Sequence, residues 1–294
     1  MRYGELHIPS LRIVRVVQFG LLISFLTMFG PSRATSELIG VSWFGDFWTI
    51  DELSGDATKV ATAGSFYFNS GVLVDSRSFV TANRDGEILE FDPVTYNVSP
   101  LGSLANLRTN DIRGMAASAD GQVFVVTWGL PELYTLDLQT GVADLVGGLS
   151  EYIQALDFSL DQDLFGWSVA LGLVHIDSQT GQVDDVNSEI VGPIMQSLAF
   201  GPNGRLFGVG QPTGDAPEYV YDINPITGAA TILSTIDSAP SIRGIAFIPE
   251  PSTGLLLLLG LSFLRVLSTL RTRRLALHLN CNTLEPPPSA PAAY

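Results

Sequence analysis

Residues 113–146, RGMAASADGQVFVVTWGLPELYTLDLQTGVADLV, contain four short apolar segments separated by turn residues. Asp120-Gly121 and Thr140-Gly141 supply the positive φ that tight hairpins require. Apolar side chains alternate with others along the segments, which is typical of strands that pack between neighbouring sheets. The stretch therefore predicts one antiparallel unit of four short strands.

The same unit recurs on both sides of this stretch. Later copies begin at Ala155 and Ser197, and a looser earlier copy begins at Val72. The aspartates at equivalent places before the second turn are predicted to cap their own hairpins. They are 41, 45, 40 and 45 residues apart: Asp51, Asp92, Asp137, Asp177 and Asp222. A period of about 40–45 residues with four strands per unit is typical of a β-propeller.

The two ends of the repeat region complete each other. Residues 38–64 have three strands and lack an opening strand, whereas residues 242–247 supply only an opening strand. Together they make one blade, so the chain predicts an all-β, five-bladed propeller of four-stranded blades that closes without exposed sheet edges. A solenoid of stacked hairpins is the alternative, but it would not explain the divided unit.

The blade pattern itself carries a resemblance. An opening strand, an Asp-Gly turn, the segment Leu133-Tyr134-Thr135-Leu136-Asp137 and a Thr-Gly turn follow one another. This order resembles the broad class of extracellular propellers with NHL-like or lactonase-like blades. The resemblance implies blade geometry and selects no function, because enzymes and binding proteins share such blades.

The N-terminal segment has the pattern of an export signal. Arg2, Arg12 and Arg15 form a basic region, residues 16–29 are mostly apolar, and small residues precede position 34. This pattern predicts a signal peptide over residues 1–34 that a signal peptidase cleaves after Ala34. The alternative is an uncleaved anchor helix, which would export the rest of the chain equally well.

The C-terminal segment combines a proline hinge, an apolar run and a basic stop. The hinge is Pro249-Glu250-Pro251, and residues 252–270 are long enough to form a helix that crosses a bilayer core. The basic residues that follow favour a cytoplasmic end; they are Arg271, Arg273 and Arg274. Residues 249–274 resemble the PEP-CTERM sorting signal of exported bacterial proteins, which implies processing by an exosortase. An ordinary membrane anchor is the alternative.

These features divide the chain into four parts. Between the two signals, residues 35–248 form the predicted propeller, and residues 275–294 form a proline-rich tail that is predicted to be disordered. The tail is longer than the PEP-CTERM signal usually allows. The expected location is the cell envelope, the cell surface or the extracellular matrix, with at least transient attachment to the membrane.

The composition of residues 35–248 limits the partners. This region has 27 Asp and Glu residues against six Arg and one Lys, which disfavours nucleic acid as a partner. No cofactor is assigned, although the acidic surface could attract calcium, with Asp161, Asp163, Asp184 and Asp185 as candidate ligands.

The only cysteine of the chain lies in the tail, and the only histidine of the region is His175, which is expected to pack inside a strand. A disulfide, a thiol nucleophile and a zinc site with two histidines are therefore excluded there.

Five polar residues enter the opening strands, which line the central channel of a propeller. They are Ser70, Arg113, Gln154, Gln196 and Arg243. As one ring around a channel mouth they predict a site for a small anionic or polyhydroxyl ligand, with the two arginines as charge-assisted donors. The alternative is that they tie adjacent loops together through backbone hydrogen bonds.

Two tryptophans fall at equivalent places after the second strand of a blade. Trp43 and Trp128 could stack on sugar rings at the same mouth or pack between blades. The sequence thus favours a binding or structural role at the cell surface or in an extracellular polymer matrix, with polysaccharide as a candidate partner and no catalytic residue assigned. The alternative is an extracellular propeller enzyme, a lactonase or a polysaccharide hydrolase or lyase. Such an enzyme would need a metal or a pair of carboxylates at the mouth.

Overall fold

The computed structural model describes residues 37–213, 216–237 and 241–248, and these residues form five antiparallel sheets of four strands each. The five-bladed propeller predicted from the repeats is confirmed. Blade 1 comprises β4 (Phe68–Asp75), β5 (Ser78–Asn83), β6 (Glu87–Phe91) and β7 (Val98–Ser103). Blade 2 comprises β8 (Ile112–Ala117), β9 (Val123–Thr127), β10 (Glu132–Leu136) and β11 (Ala143–Gly148).

The other three blades repeat this arrangement. Blade 3 comprises β12 (Ile153–Phe158), β13 (Leu164–Ser168), β14 (Gly172–Ile176) and β15 (Val183–Asp185). Blade 4 comprises β16 (Ile194–Phe200), β17 (Leu206–Gln211), β18 (Tyr219–Ile223) and β19 (Ala230–Thr235). The composite blade orders β20 (Ile242–Ile248), β1 (Glu37–Ser42), β2 (Asp46–Ile50) and β3 (Ala57–Thr62).

The core lies between the blades. Each pair of adjacent blades encloses one cluster of buried apolar side chains, and the seam between the composite blade and blade 1 is filled largely by aromatic rings. There Phe47 stacks on Phe91 at 4.3 Å and meets the edge of Phe79 at 6.2 Å between ring centroids. The inner strands β4, β8, β12, β16 and β20 contact one another in a closed ring. Burial at every seam therefore holds the ring shut.

The composite blade closes the ring with strands from both ends of the described domain. β20 pairs with β1 in antiparallel register from Glu37 opposite Ile248 to Ser42 opposite Ile242. Both described ends thus lie on one face of the propeller, which we call the distal face. The residues predicted to ring the channel lie at the other ends of the inner strands, on the mouth face.

The recurring aspartates cap the outer hairpins on the distal face. The Oδ1 atom of Asp51 accepts the backbone N–H groups of Leu53 and Ser54 at 2.9 and 2.8 Å. Equivalent pairs of bonds are made by three further aspartates of the repeat, Asp92, Asp137 and Asp177. The pKa of each of the four aspartates is below its usual value, for Asp92 mainly because of a side-chain bond from Arg77 and for the other three mainly because of these backbone bonds.

The prediction for Asp222 is wrong. This residue lies inside β18, where its Oδ2 atom accepts a bond from Arg205 at 2.8 Å. Asn224 caps the hairpin of blade 4 instead, because its Oδ1 atom accepts the N–H groups of Ile226 and Thr227 at 2.9 and 3.0 Å. The side-chain carbonyl of asparagine accepts these two bonds as a carboxylate does. What repeats from blade to blade is therefore an oxygen acceptor at the turn, and a negative charge is not required there.

Three predicted segments lie outside the described residues. These are the signal peptide over 1–34, the sorting signal over 249–274 with Pro249, Glu250, Pro251, Arg271, Arg273 and Arg274, and the tail over 275–294. In the described part of the chain, no helix is long and apolar enough to span a bilayer.

Candidate functional site

A β-bulge lies at the predicted ring position of every inner strand. In β8, Ile112 pairs with Thr127 and Gly114 with Val126, so Arg113 is an extra residue in the ladder. The same irregularity is present at Gln154, Gln196 and Arg243. A bulge redirects a side chain away from the regular pleat. Four equivalent bulges therefore turn polar side chains out of the seams between blades.

These four side chains meet around one open cavity on the mouth face. The cavity has a volume of about 360 Å³ and is lined by Arg113, Gln154, Gln196 and Arg243 together with Trp43 and Ser241. The structure therefore brings together five of the seven residues that were predicted to bind a ligand. Ser70 and Trp128 are not part of the lining.

Ser70 does not line the cavity, because its side chain is buried. In β4 Phe68 pairs with Asn83 and Gly71 with Thr81, so the bulge contains both Asn69 and Ser70. The side chain of Ser70 is buried, and its backbone carbonyl accepts a bond from Thr81 Oγ1 at 2.5 Å. Ser70 therefore belongs to the packing behind the cavity.

A single carboxylate holds two arginines at the mouth. Arg113 donates from Nη2 to Asp111 Oδ2 at 3.1 Å, and its Nε lies 3.0 Å from Oδ1, although that N–H is not directed at the oxygen. Arg84 donates to the same Oδ2 at 2.5 Å, and Asn69 donates to Oδ1 at 2.6 Å. Because Asp111 neutralises one charge at most, this cluster carries net positive charge.

Arg243 is the less compensated of the two ring arginines. It donates from Nη2 to Ser241 Oγ at 2.6 Å, and its Nε is buried without a hydrogen-bond partner among the described residues. Burial lowers the pKa of Arg243; the charge of Glu218 raises it, and the charge of Arg113 lowers it further. The two ring arginines are thus close enough to repel each other. An anion placed between them would relieve both the repulsion and the desolvation.

The tryptophans support the arginines. The Cζ atoms of Arg84 and Arg243 lie 4.9 and 5.7 Å from the ring centroid of Trp43, and Arg113 lies 4.8 Å from that of Trp128. These are cation–π distances. Trp128 is 43% exposed beside the cavity. Because guanidinium groups already cover part of each indole, this geometry favours a role in holding arginines over a role as a free platform for sugar.

Sequence reasoning missed the partners of the ring arginines. Asp111 and Ser241 each precede a ring arginine by two residues, whereas Tyr152 and Ile194 occupy the same place before the ring glutamines. A polar residue at that offset is the signal that could have found them. Arg84 had no such signal, because its contact with Asp111 spans 27 residues and two blades.

Glu218 lies behind Arg243. Its side chain is buried, and Oε2 accepts the N–H of Ile242 at 3.0 Å. Burial raises the pKa of Glu218, which the bond from Ile242 and the charge of Arg243 partly oppose. The residue connects the turn before β18 to the closing strand.

The residues predicted as calcium ligands, and His175, do not form a metal-binding group among the described residues. His175 was expected to pack inside a strand, but its side chain is 41% exposed; it lies 3.5 Å from Asp163 and meets the ring of Phe165 nearly at a right angle. Asp184 accepts a bond from Gln182, and Asp185 accepts one from Asn187. Among the described residues no group of three or more His, Cys, Asp or Glu side chains could hold a metal ion. Calcium binding, for which Asp161 was also named, stays a prediction.

Comparisons with known proteins find similarity in structure alone. No family model and no curated protein matches the sequence. A structural genomics protein of unknown function from Bacteroides thetaiotaomicron matches with a TM-score of 0.51 and 9% identity over 74% of this chain and 66% of its own. The Nidogen/Laminin complex gives 0.53 and 8% over 73% of this chain and 98% of the matched chain. TolB from Acinetobacter baumannii gives 0.50 and 16% over 83% and 75%.

The likeness is one of fold. All three identities lie far below the level at which function is shared, so the comparisons support the propeller and leave the site to be argued from its own residues. This chain spans just under two thirds of the Bacteroides protein.

Proposed function

We propose that this chain is a binding protein whose channel mouth holds a small anionic ligand. The observation that supports this proposal is one open cavity lined by two ring arginines and two ring glutamines. Beside it, the carboxylate of Asp111 accepts bonds from both Arg113 and Arg84. Guanidinium groups that are fixed by aromatic faces and a carboxylate are already oriented, so little side-chain entropy is lost on binding.

The distribution of charge supports this role. Three of the six arginines in residues 35–248 lie at the mouth, namely Arg84, Arg113 and Arg243, while the capping aspartates lie on the distal face. The cavity lining itself contains two arginines and no carboxylate, so its own side chains favour an anion where a ligand enters. A lining of arginine and amide groups suits the retention of an anion, whereas an enzyme would need a metal or a carboxylate pair at this place.

The test is a titration of wild-type protein with phosphate, succinate and tartrate at low ionic strength, followed by calorimetry and by tryptophan fluorescence. We expect saturable binding of at least one anion. Arg243→Gln should weaken that binding by about tenfold or more, because a charge-assisted hydrogen bond is lost. Arg77→Gln is the matched control, since Arg77 pairs with Asp92 on the distal face and its loss should change affinity by less than about twofold.

Two results would contradict the proposal. One is the absence of saturable binding for all three anions. The other is equal weakening by Arg243→Gln and Arg77→Gln, which would mean that only net charge matters. Thermal unfolding of each variant establishes that it is folded.

We further propose that the protein is exported and sorted at the cell envelope. The support is the basic and apolar N-terminal segment together with the Pro249-Glu250-Pro251 hinge, the apolar run and the arginine cluster. An exosortase-type enzyme would process this signal, with residues 252–270 as the transient membrane anchor. Mass spectrometry of the mature C terminus provides the test. Loss of residues 271–294 is expected, and an intact C terminus would leave an ordinary anchor.

A further inference from the structure

The mouth face carries most of the solvent-exposed aromatic side chains. Among the described residues six Phe, Tyr and Trp side chains are exposed, and five of them lie in loops at the mouth, where they are 43–55% exposed. We call these five the aromatic rim: Phe44, Phe66, Tyr67, Trp128 and Tyr152. The sixth, Tyr96, lies on the distal face. Exposed apolar side chains that concentrate on one face mark an interaction surface.

One group of rim residues lies on the composite blade and its seam with blade 1. Phe44 is in the turn between β1 and β2, and Phe66 and Tyr67 are in the connection from β3 to β4. Tyr67 meets Trp43 of the cavity lining edge to face, with ring centroids 5.4 Å apart, and Phe66 lies 6.4 Å from Tyr67. This group is therefore continuous with the wall of the cavity.

A second group lies on blade 2 and its seam with blade 3. Trp128 is in the turn between β9 and β10, and Tyr152 is in the connection from β11 to β12. Their ring centroids are 5.5 Å apart, and the guanidinium of Arg113, which lines the cavity, lies 4.8 Å from Trp128. Because the two groups lie on different sides of one closed ring, a ligand that contacts both must cross the mouth.

The backbone of the rim is held in place before any ligand arrives. The N–H of Tyr67 donates to the carbonyl of Trp43 at 2.8 Å, and the N–H of Trp128 donates to the carbonyl of Asp111 at 2.8 Å. Tyr67 has a φ of 72°, in the region that favours glycine, yet it carries a large and exposed aromatic ring. Little loop ordering is therefore lost when a partner binds.

The arrangement of the rings favours a protein chain over a polysaccharide. Sugar rings stack on flat aromatic faces, whereas the rim pairs stand at 76° for Trp43 and Tyr67, 60° for Phe66 and Tyr67, and 41° for Trp128 and Tyr152. Rings at such angles leave hollows between them that fit apolar side chains. Aromatic residues and arginine are also the residues enriched at the centres of protein interfaces.

The charge of the cavity indicates what the protein chain must carry. Arg113 and Arg243 line the cavity, and no carboxylate of the described residues does so. A carboxylate of the partner complements this lining. Because rim residues lie on two sides of the cavity, the partner continues in both directions from its carboxylate. An aspartate or glutamate side chain meets this requirement, whereas the carboxyl terminus of a chain does not.

We infer that the mouth face is a docking surface for a protein segment whose aspartate or glutamate side chain enters the cavity and whose flanking apolar residues pack on the aromatic rim. This inference rests on the proposed anion-binding function. It adds that the anion belongs to a polypeptide and that residues outside the cavity contribute to affinity.

The experiment begins with a selection by the full-length protein from random dodecapeptides that are displayed as fusions without a free carboxyl terminus. We expect the enriched sequences to share an acidic residue between apolar residues. The strongest binder is then synthesised with both ends capped. Exchange of its acidic residue for the corresponding amide should weaken binding by about tenfold or more, and Arg243→Gln in the protein should have a similar effect.

Variants of the rim separate docking from anion binding. Phe66→Ser and Tyr152→Ser should each weaken the capped peptide by about fivefold or more, because an aromatic contact at the interface is lost. Each should change the affinity for the small anion that wild-type protein binds by less than about twofold, since neither residue lines the cavity. Tyr96→Ser is the matched control and should leave both affinities within about twofold. Thermal unfolding establishes that each variant is folded.

Every other outcome also decides the question. If small anions bind but no acidic and apolar sequence is enriched, the inference is overturned and the proposed function stands. Peptide binding that survives loss of the acidic residue, or that Phe66→Ser, Tyr152→Ser and Tyr96→Ser leave equally unchanged, would overturn the inference as well. Tighter binding of polygalacturonate than of the peptide, with the same loss in Phe66→Ser, would identify an acidic polysaccharide as the occupant and overturn the protein partner. The absence of binding for both small anions and peptides would overturn both proposals.

Discussion

Gly244→Ala is expected to destabilise the propeller by about 3 kcal/mol. A Cβ atom at Gly244 would lie 2.3 Å from the backbone N of Gly71 and 2.6 Å from the backbone C of Ser70. Gly244 lies on β20 and Gly71 on β4, where the composite blade meets blade 1. Because backbone atoms cannot rotate away as a side chain does, the two inner strands must separate and the aromatic seam beside them must loosen.

Urea denaturation followed by circular dichroism measures this effect. Gly102→Ala is the matched control, since it adds the same methyl group in β7 at a place with no heavy atom within 4 Å. The control should change the free energy of unfolding by less than about 0.5 kcal/mol. Equal stabilities for the two variants would show that the inner strands do not approach this closely.

Asp157→Asn is expected to remove a loss of stability that wild-type protein suffers between pH 5 and pH 8. Asp157 lies on β12, and its Oδ2 atom accepts the N–H of Phe200 on β16 at 2.5 Å. Burial raises the pKa of Asp157 from 3.8 to about 7, although bonds from the backbone of Phe200 and Phe158 partly oppose it. The protonated carboxyl is therefore the form that the folded protein favours.

The sign of the effect follows from the two pKa values. The folded pKa is higher than the unfolded one, so the stability contributed by this group is fully present below about pH 4 and is lost as the pH rises to about 7. Between pH 5 and pH 8 the loss is about 2–3 kcal/mol. Asparagine cannot ionise, so Asp157→Asn should have similar stability to wild type at pH 5 and exceed it at pH 8. Denaturation curves that stay parallel across this range would contradict the prediction.

The blade count could be predicted because turn chemistry and period repeat along the chain. Asp-Gly and Thr-Gly turns mark the hairpins, and the divided unit at residues 38–64 and 242–247 has one simple explanation. The blade 4 register was misread because Tyr221-Asp222 imitates the end of a third strand. Only Ile223 continues the strand, and a search for acids passes over Asn224, which follows it.

The site was predicted less completely than the fold, for a physical reason. Opening-strand positions follow from sequence, so Arg113, Gln154, Gln196 and Arg243 could be named. Ser70 does not line the cavity because its side chain is buried, and the spacing of the opening strands does not reveal that burial. The compensation of charge by Asp111 depends on contacts between loops of different blades, which exist only once the ring has closed.

The closure between β1 and β20 also decides how the domain would respond to mechanical force. Glu37 and Ile248 face each other at the distal edge of this antiparallel pair. A pull that separates these two ends would open the pair one rung at a time from that edge, as a zipper opens, instead of shearing all rungs together. A domain tethered only beyond Ile248 carries no tension across the pair. A force applied at one end alone would therefore leave the pairing that closes the ring intact.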